Sequence, residues 1–223
     1  MSDQPRAVLI DLYDTLVYSQ WPWLKRQLAE LLGVTPEAVA DAMTATRELR
    51  SIGTFPDVNG DTRNWLEALD LQPDDALVEE VVQMEDEAMR VGVLLYEDSL
   101  PVVHDLRSRG VPTALVSNCS HSTRPVVDRL RLAEVFDAVV LSFEVGARKP
   151  EAAIYHEALT RLGLHRDDAP ACLLVDDQAE YCDGAAAFGL QARLIIRPGA
   201  APAEGVSVDS RGHTIITSLT DIL

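Results

Sequence analysis

The sequence is poor in cysteine, in positive charge and in long apolar runs. Its three cysteines, Cys119, Cys172 and Cys182, form no even-numbered disulfide framework and show neither a C-x-x-C pair nor a zinc-like spacing. This usage favours a reducing compartment, and we expect a cytoplasmic protein. No apolar run approaches the roughly 20 residues that cross a bilayer, and the first six residues lack the pattern of a signal peptide. We therefore expect no membrane partner.

Positive charge is outnumbered by negative charge, with 19 Lys and Arg against 36 Asp and Glu, a formal net charge of -17. A surface of this sign repels nucleic-acid phosphates and anionic lipid head groups. The composition therefore excludes nucleic acid as an expected partner. A small anionic substrate would still need a local cationic patch. The sequence leaves the oligomeric state open, a homodimer included.

The first apolar run ends at a carboxylate. Residues 7–10, with the sequence AVLI, are typical of a buried strand, and Asp11 follows because a charge cannot continue into a core. In an open α/β sheet, ligands bind at the carboxyl ends of the strands. The polar residues Tyr13, Asp14 and Thr15 come directly after this end.

The next eighty residues are predicted to form helices and no strand. The four expected helices run from Pro22 to Gly33, from Thr35 as N-cap to Gly53, from Asp61 as N-cap through Leu69, and from Pro73 through Met89. A βαβ crossover usually needs one helix. We therefore interpret residues 17–96 as an inserted helical cap domain and residues 1–16 and 97–223 as the core domain. The alternative is a plain helical stretch of a single domain.

Strands and helices alternate from residue 101 onward, which predicts an α/β, doubly wound parallel sheet. The strands are expected at 113–116, 138–143, 172–175, 193–196 and 214–217, and the helices at 102–109, 124–132, 150–162 and 179–188. A stretch rich in Pro, Gly and Ala near 198–205 is typical of a mobile loop.

Polar residues that carry chemistry follow several of these strands, so they should gather at one edge of the sheet. They are Asp11, Ser117, Asn118, Lys149, Asp176 and Asp177. The set supplies a carboxylate nucleophile, hydroxyl and amide donors, a cation and a pair of acids for a metal. Each residue taken alone has a plainer interpretation, such as a turn for Ser117-Asn118.

The order and spacing of these residues resemble the haloacid dehalogenase (HAD) superfamily of hydrolases, over nearly the whole chain. The matching features are an Asp-x-Asp-x-Thr type loop at 11–15, a helical cap directly after it, Ser117-Asn118, Lys149-Pro150, Asp176-Asp177, and the glycines and alanine of Gly184-Ala185 and Phe188-Gly189. The resemblance implies a Rossmann-like core and covalent catalysis in which Asp11 attacks the substrate to give an aspartyl intermediate. It also implies that Thr15 belongs to the nucleophile loop, that Ser117 and Asn118 grip the transferring group, and that Lys149 balances its charge.

Tyr13 departs from the family's phosphatases, which carry there a second Asp that protonates the leaving group. Asp14 does not take its place, because Thr15 keeps its expected spacing from Asp11. Tyrosine at this position resembles the 2-haloacid dehalogenases, whose halide leaving group needs no proton and whose reaction needs no metal. Tyr155 also matches a dehalogenase position, with core packing as its plainer interpretation.

The acid pair Asp176-Asp177 instead resembles the magnesium-dependent members. There the resemblance implies Mg²⁺ on Asp11, the acid pair and the backbone carbonyl at Tyr13, a set of oxygen ligands that suits this ion. Gln178 and Tyr181 fit neither branch fully. We expect Mg²⁺ because adjacent carboxylates raise one another's pKa unless a cation is present.

Three functional hypotheses follow. The leading one is a Mg²⁺-dependent phosphatase of a small phosphorylated metabolite; the others are a metal-independent 2-haloacid dehalogenase and a catalytically weakened family member that binds a ligand or partner. Arg47 and Arg50 are candidate anion clamps on the cap, with solvated helix residues as the alternative. His121 is a candidate substrate contact or a solvated loop residue, and Cys119 has no adjacent base and is expected to be filler.

Overall fold

The structure, a computed structural model, describes residues 4–198 and 211–223. The strands of this part of the chain are β1 (Ala7–Ile10), β2 (Val17–Ser19), β3 (Val93–Leu95), β4 (Thr113–Ser117), β5 (Ala138–Leu141), β6 (Cys172–Asp176), β7 (Gln191–Ile195) and β8 (Thr214–Ile216). The α-helices are α1 (Trp21–Leu32), α2 (Pro36–Ala45), α3 (Arg47–Ser51), α4 (Val58–Glu67), α5 (Asp75–Gly92), α6 (Ser99–Ser108), α7 (Arg124–Arg129), α8 (Leu132–Val135), α9 (Ser142–Val145), α10 (Ala152–Arg161) and α11 (Ala179–Phe188).

Strand β1 lies near the middle of a six-stranded sheet with the order β5-β4-β1-β6-β7-β8, and every pairing in it is parallel. Ile10 pairs with Leu115 on one side and with Val175 on the other. The chain builds one side of β1 through β4 and β5 and then returns to β6 on the opposite side. The carboxyl ends of β1, β4 and β6 therefore meet where the strand order reverses, which is where such sheets bind ligands.

Both faces of the sheet are buried, which explains why its strands are continuous apolar runs. Val8 and Ile10 belong to a core shared with α6 and α7, whereas Ala7 and Leu9 belong to a second core shared with α10 and α11. A parallel sheet covered on both faces has this sequence signature. The predicted doubly wound α/β fold is therefore confirmed.

Helices α1, α2, α4 and α5 form a third apolar cluster of their own. Leu28, Val39, Trp65, Leu66 and Val81 are almost fully buried in it. Burying a side chain of this kind stabilises a fold by roughly 1.5–3 kcal/mol. A separate cluster is consistent with a cap, although the assignment of residues 17–96 as a domain stays a prediction.

The expectation that residues 17–96 contain no strand is wrong. Strands β2 and β3 open and close this block and pair antiparallel, with Val17 opposite Leu95. Each strand has three residues, which is too short for a periodic pattern to show. Their partners lie at opposite ends of the block, so local sequence contains no signal for the pairing.

Some predicted helix ends within the cap region are also wrong. The helix expected to continue to Gly53 breaks at Thr46, whose hydroxyl donates to the Ala42 carbonyl at 2.8 Å and separates α2 from α3. Asp57, not Asp61, caps α4, since its carboxylate accepts from the Gly60 amide at 2.9 Å. Asp61 lies inside that helix, because Gly60 continues the helix instead of preceding it.

Two differences concern the core region. The helix expected over 124–132 divides into α7 and α8 at Arg131, which has a φ of 54°. The strand expected over 138–143 ends at Leu141, and a single helical turn follows. Most of the loop predicted near 198–205 lies outside the described residues. No helix of the described chain is both long and apolar enough to cross a membrane.

Candidate active site

Asp11 meets Lys149 at the carboxyl end of β1. The Lys149 ammonium lies 2.5 Å from Oδ1 of Asp11 and 2.6 Å from Oδ2 of Asp176, and the lysine side chain is fully buried. Burial by itself lowers the pKa of Lys149, but the charges of Asp11 and Asp176 outweigh it and raise this pKa above its usual range. Lys149 therefore remains a fixed positive charge that joins β1 to β6.

The side chain of Asn118 holds the backbone of Lys149 from β4. Its Nδ2 donates to the Lys149 carbonyl at 2.8 Å, and its Oδ1 accepts from the Lys149 amide at 2.7 Å. Each polar atom of the Asn118 side chain therefore has a backbone partner. This arrangement makes Asn118 a positioning residue for Lys149, and the direct grip on a transferring group expected of it stays a prediction.

Asp11, Asp176 and Asp177 offer carboxylate oxygens that all lie within 4.8 Å of one another. Burial raises the pKa of Asp176 to about 7, although the Lys149 ammonium opposes this. Burial together with the charges of Asp176, Asp11 and Asp14 raises the pKa of Asp177 well above its usual range. Burial and the charge of Asp11 also raise the pKa of Asp14.

Asp176 and Asp177 differ in what compensates their charge. Asp176 has the Lys149 ammonium and also accepts from the Gln178 amide at 2.9 Å. Asp177 accepts from the Gln178 side-chain amide at 2.5 Å, a neutral donor. The carboxylates of Asp11, Asp176 and Asp177 are hard oxygen ligands of the kind that Mg²⁺ takes.

Two buried hydroxyl groups near the carboxyl ends of β1 and β4 have no hydrogen-bond partner among the described residues. They belong to Thr15 in the loop after β1 and to Ser117 at the end of β4. A buried hydroxyl without a partner costs on the order of 1–3 kcal/mol. Both groups are therefore donors without an acceptor among the described residues, and the grip of Ser117 on a transferring group stays a prediction.

The Tyr13 hydroxyl contacts Thr123 and Met89. The hydroxyl lies 3.1 Å from Oγ1 of Thr123 and 3.8 Å from Sδ of Met89, and the ring packs against Trp21 with centroids 5.7 Å apart. Burial raises the pKa of Tyr13 above its usual value. The side chain therefore joins the nucleophile loop to the cap region and does not replace the missing acid.

Tyr155 and Tyr181 act together around Lys149. The fully buried Tyr155 hydroxyl donates to the Tyr181 carbonyl at 2.7 Å. The Tyr181 ring centroid then lies 5.1 Å from the Lys149 ammonium, a favourable cation–π distance. Tyr155 thus packs in the core, which agrees with its plainer interpretation. Tyr181 contacts Lys149 through its ring, although it lacks the family's acid or amide.

Arg197 is a site residue that the sequence analysis missed. Its guanidinium donates to the Thr15 carbonyl from Nε at 3.0 Å and from Nη2 at 2.6 Å, and it pairs with Asp98 at 2.7 Å. Only 5% of Arg197 is exposed. Its position after β7 is a signal that could have found it, because it follows a strand as Asp11 follows β1.

The remaining candidates lie around the cap region. Arg47 is exposed, whereas Arg50 donates to the Met43 carbonyl at 2.6 Å; within the described residues no hydrogen bond or ion pair joins either one to the acidic cluster. Burial raises the pKa of Cys119 to about 12, so it is no nucleophile. His121 is not a solvated loop residue, because its ring Nδ1 lies 2.8 Å from Oδ2 of Asp61 on α4.

The chain resembles both phosphatases and dehalogenases. It is 30% identical over 123 residues to "Phosphatase MT3486" of Mycobacterium tuberculosis and 27% identical over 128 residues to an (S)-2-haloacid dehalogenase of Pseudomonas putida; these alignments cover 54% and 57% of this chain and 54% of each relative. The chain thus spans about half the length of the curated relatives it matches.

Solved structures agree on the fold. The L-2-haloacid dehalogenase of Xanthobacter autotrophicus superimposes with a TM-score of 0.68 at 19% identity, over 98% of this chain and 97% of that one. A family profile described as haloacid dehalogenase-like hydrolase matches residues 5–189, a span that contains every motif residue from Asp11 to Asp177. The chain therefore belongs to the family of haloacid dehalogenase-like hydrolases.

Proposed function

We propose that the protein is a Mg²⁺-dependent phosphatase that uses Asp11 as its nucleophile on a small phosphorylated metabolite. The observation that carries this proposal is the partly buried carboxylate of Asp177, which shares its surroundings with Asp11 and Asp176. Lys149 already compensates the other two acids. A further cation at Asp177 is therefore the simplest way to keep all three carboxylates ionised.

The residues suited to hold Mg²⁺ are Asp11, Asp177 and Asp176, with the Tyr13 carbonyl as the ligand implied by the family. When bound, the ion neutralises the charge that develops on a transferring phosphoryl group. The remaining work falls to the chain itself. One carboxylate oxygen of Asp11 attacks phosphorus, the bond from phosphorus to the leaving oxygen breaks, and water later releases phosphate from the aspartyl intermediate.

The groups around Asp11 suit a phosphoryl group. The unpartnered hydroxyls of Ser117 and Thr15 are donors without acceptors, and the Lys149 ammonium is a fixed charge. A phosphoryl group brings several oxygens that need such donors. The similarity to the mycobacterial phosphatase supports the same chemistry. We further propose that a small anionic molecule is the partner.

The test is phosphate release from a panel of small phosphate monoesters with Mg²⁺ and with EDTA. We expect activity that requires Mg²⁺ and that disappears in Asp11→Asn, while the exposed Asp86→Asn keeps it. Asp177→Asn should raise the Mg²⁺ concentration needed for half-maximal activity by about tenfold or more. Activity that is unchanged in EDTA would contradict the proposal.

A second candidate function, the metal-independent 2-haloacid dehalogenase, is favoured by Tyr13. Its hydroxyl contacts Thr123 and has a raised pKa, so it is a poor proton donor. A halide leaving group needs no proton, so the missing acid would not impair this reaction. Two similar curated proteins are (S)-2-haloacid dehalogenases. Halide release from 2-chloropropionate that persists in EDTA would establish this alternative. If wild-type protein releases neither phosphate nor halide, the result would favour a catalytically weakened family member that binds a ligand or partner.

A further inference from the structure

The chain lacks the acid that the family's phosphatases place two residues after the nucleophile, and the structure offers a different proton donor. His121 lies in segment 118–123, which follows β4. Both ends of this segment are attached to the site: Asn118 holds the Lys149 backbone, and Oγ1 of Thr123 lies 3.1 Å from the Tyr13 hydroxyl. His121 is therefore held in a loop that borders the nucleophile loop.

Asp61 on the cap helix α4 fixes the orientation of this histidine. One oxygen, Oδ2, accepts from the His121 amide at 3.1 Å and from its ring Nδ1 at 2.8 Å. The carboxylate is an acceptor, so Nδ1 is the donor in this contact. Asp61 is only 3% exposed, and its other oxygen has no partner among the described residues.

The ring of His121 is held on its other side by Phe143, with centroids 4.5 Å apart. The side chain keeps 20% of its surface exposed, and Nε2 is the ring nitrogen not committed to Asp61. A histidine whose Nδ1–H is oriented by a buried carboxylate has the geometry of a general acid–base group. The cap thus supplies the orienting residue and the core supplies the histidine.

We propose that His121 is the general acid and base of the phosphatase reaction and that Asp61 is its positioning residue. The inference rests on the proposed function. In the first step Asp11 forms a bond to phosphorus, the leaving oxygen takes the electron pair of the bond that breaks, and Nε2–H of His121 gives that oxygen its proton. In the second step Nε2 takes a proton from water while the water oxygen forms a bond to phosphorus. The bond from phosphorus to Asp11 breaks, its electron pair returns to the carboxylate, and phosphate leaves.

The experiment compares two esters that differ in their need for a proton. p-Nitrophenyl phosphate releases a stabilised phenolate, whereas an alkyl phosphate such as glycerol phosphate releases an alkoxide that must be protonated. Because general acid catalysis contributes about 10²–10⁴-fold, His121→Asn should lower kcat/KM on the alkyl ester by about 10²-fold or more and on the aryl ester by at most about fivefold. This constant includes only the steps up to departure of the leaving group, so hydrolysis of the shared aspartyl intermediate does not enter it. Asp61→Asn should also lower the rate more on the alkyl ester than on the aryl ester, but by a smaller factor than His121→Asn.

His104→Asn, at an exposed position on α6, is the matched control and should change neither rate. His121→Gln provides a second variant if the first unfolds, as judged by its thermal transition. Equal losses of kcat/KM on both esters would overturn the proposal and assign the pair to holding the cap on the core. No loss on either ester would overturn it as well. Wild-type protein inactive on both esters would instead refute the proposed function, and this inference with it.

Discussion

Nζ of Lys149 lies 2.6 Å from Oδ2 of Asp176, and neither side chain is exposed to solvent. The same ammonium lies 2.5 Å from Asp11. Burying any one of these three charges without its partners would cost several kcal/mol, so they are tolerated in the fold only while all three are present. The site is therefore electrostatically incomplete without its lysine.

Replacing Lys149 by Met should destabilise the fold and abolish activity. The change leaves Asp11 and Asp176 buried without their cation, and removing one partner of a buried pair costs about 3–5 kcal/mol. Urea unfolding measures this loss, and we expect kcat to fall by at least about 10³-fold. Lys25→Met, at the only other lysine of the sequence, is the control. Comparable stability of the two variants would show that the buried set is not needed for folding.

The sequence was sufficient to predict the meeting of Asp11, Lys149 and Asp176, because strands buried on both faces are unmistakable apolar runs and their ends share one edge. It was not sufficient for contacts made across the cap. Asp61 lies inside α4, and His121 follows β4, far away in the chain. The sequence around either residue contains no signal that predicts their contact. Their meeting depends on how α4 packs against the segment that follows β4, which periodicity does not encode.

Replacing Arg197 by Lys should weaken the nucleophile loop. An ammonium cannot reproduce the two donors on the Thr15 carbonyl together with the pair to Asp98. We expect the free energy of unfolding to fall by about 1.5–3 kcal/mol, the range for hydrogen bonds to charged groups. We also expect a lower kcat at saturating substrate, because Thr15 belongs to the loop that carries Asp11. The exposed Arg26→Lys should behave as wild type; if Arg197→Lys matches it, the guanidinium has no such role.

Gly184 allows α11 to approach the segment that carries Lys149. A Cβ at this position would lie 2.6 Å from the Pro150 carbonyl oxygen and would also meet the Pro150 ring. Alanine ordinarily stabilises a helix by about 0.5–1 kcal/mol over glycine, but overpacking costs about 1–3 kcal/mol. Gly184→Ala should therefore lower the melting temperature and kcat together.

Gly92→Ala is the matched control for this test. Its added Cβ would lie 3.4 Å from Cβ of Gln20, an ordinary contact, so its melting temperature should stay at or above that of the wild type. If Gly184→Ala proved as stable and as active as this control, the close approach of Pro150 would not constrain the position of Lys149.

Glu85 should make stability depend on pH. It is 8% exposed on α5 and accepts from the Thr62 hydroxyl at 3.3 Å. Burial raises its pKa from 4.5 to about 7, against the opposing charge of Arg50. Between these two values the folded chain binds more protons at this site than the unfolded chain, so its contribution to the free energy of unfolding falls as pH rises.

Glu85→Gln should therefore stabilise the protein at pH 8 and have little effect at pH 4.5, because glutamine resembles the protonated acid. At about 1.4 kcal/mol per pKa unit, we expect a gain of about 1–3 kcal/mol at the higher pH. The lower figure applies if Arg50 loses part of its compensation when Glu85 is neutralised. Urea unfolding of wild type, Glu85→Gln and the exposed Glu80→Gln at both pH values measures the effect. A gain that is the same at the two pH values would show that Glu85 does not titrate in this range, since only a titrating carboxylate makes the difference depend on pH.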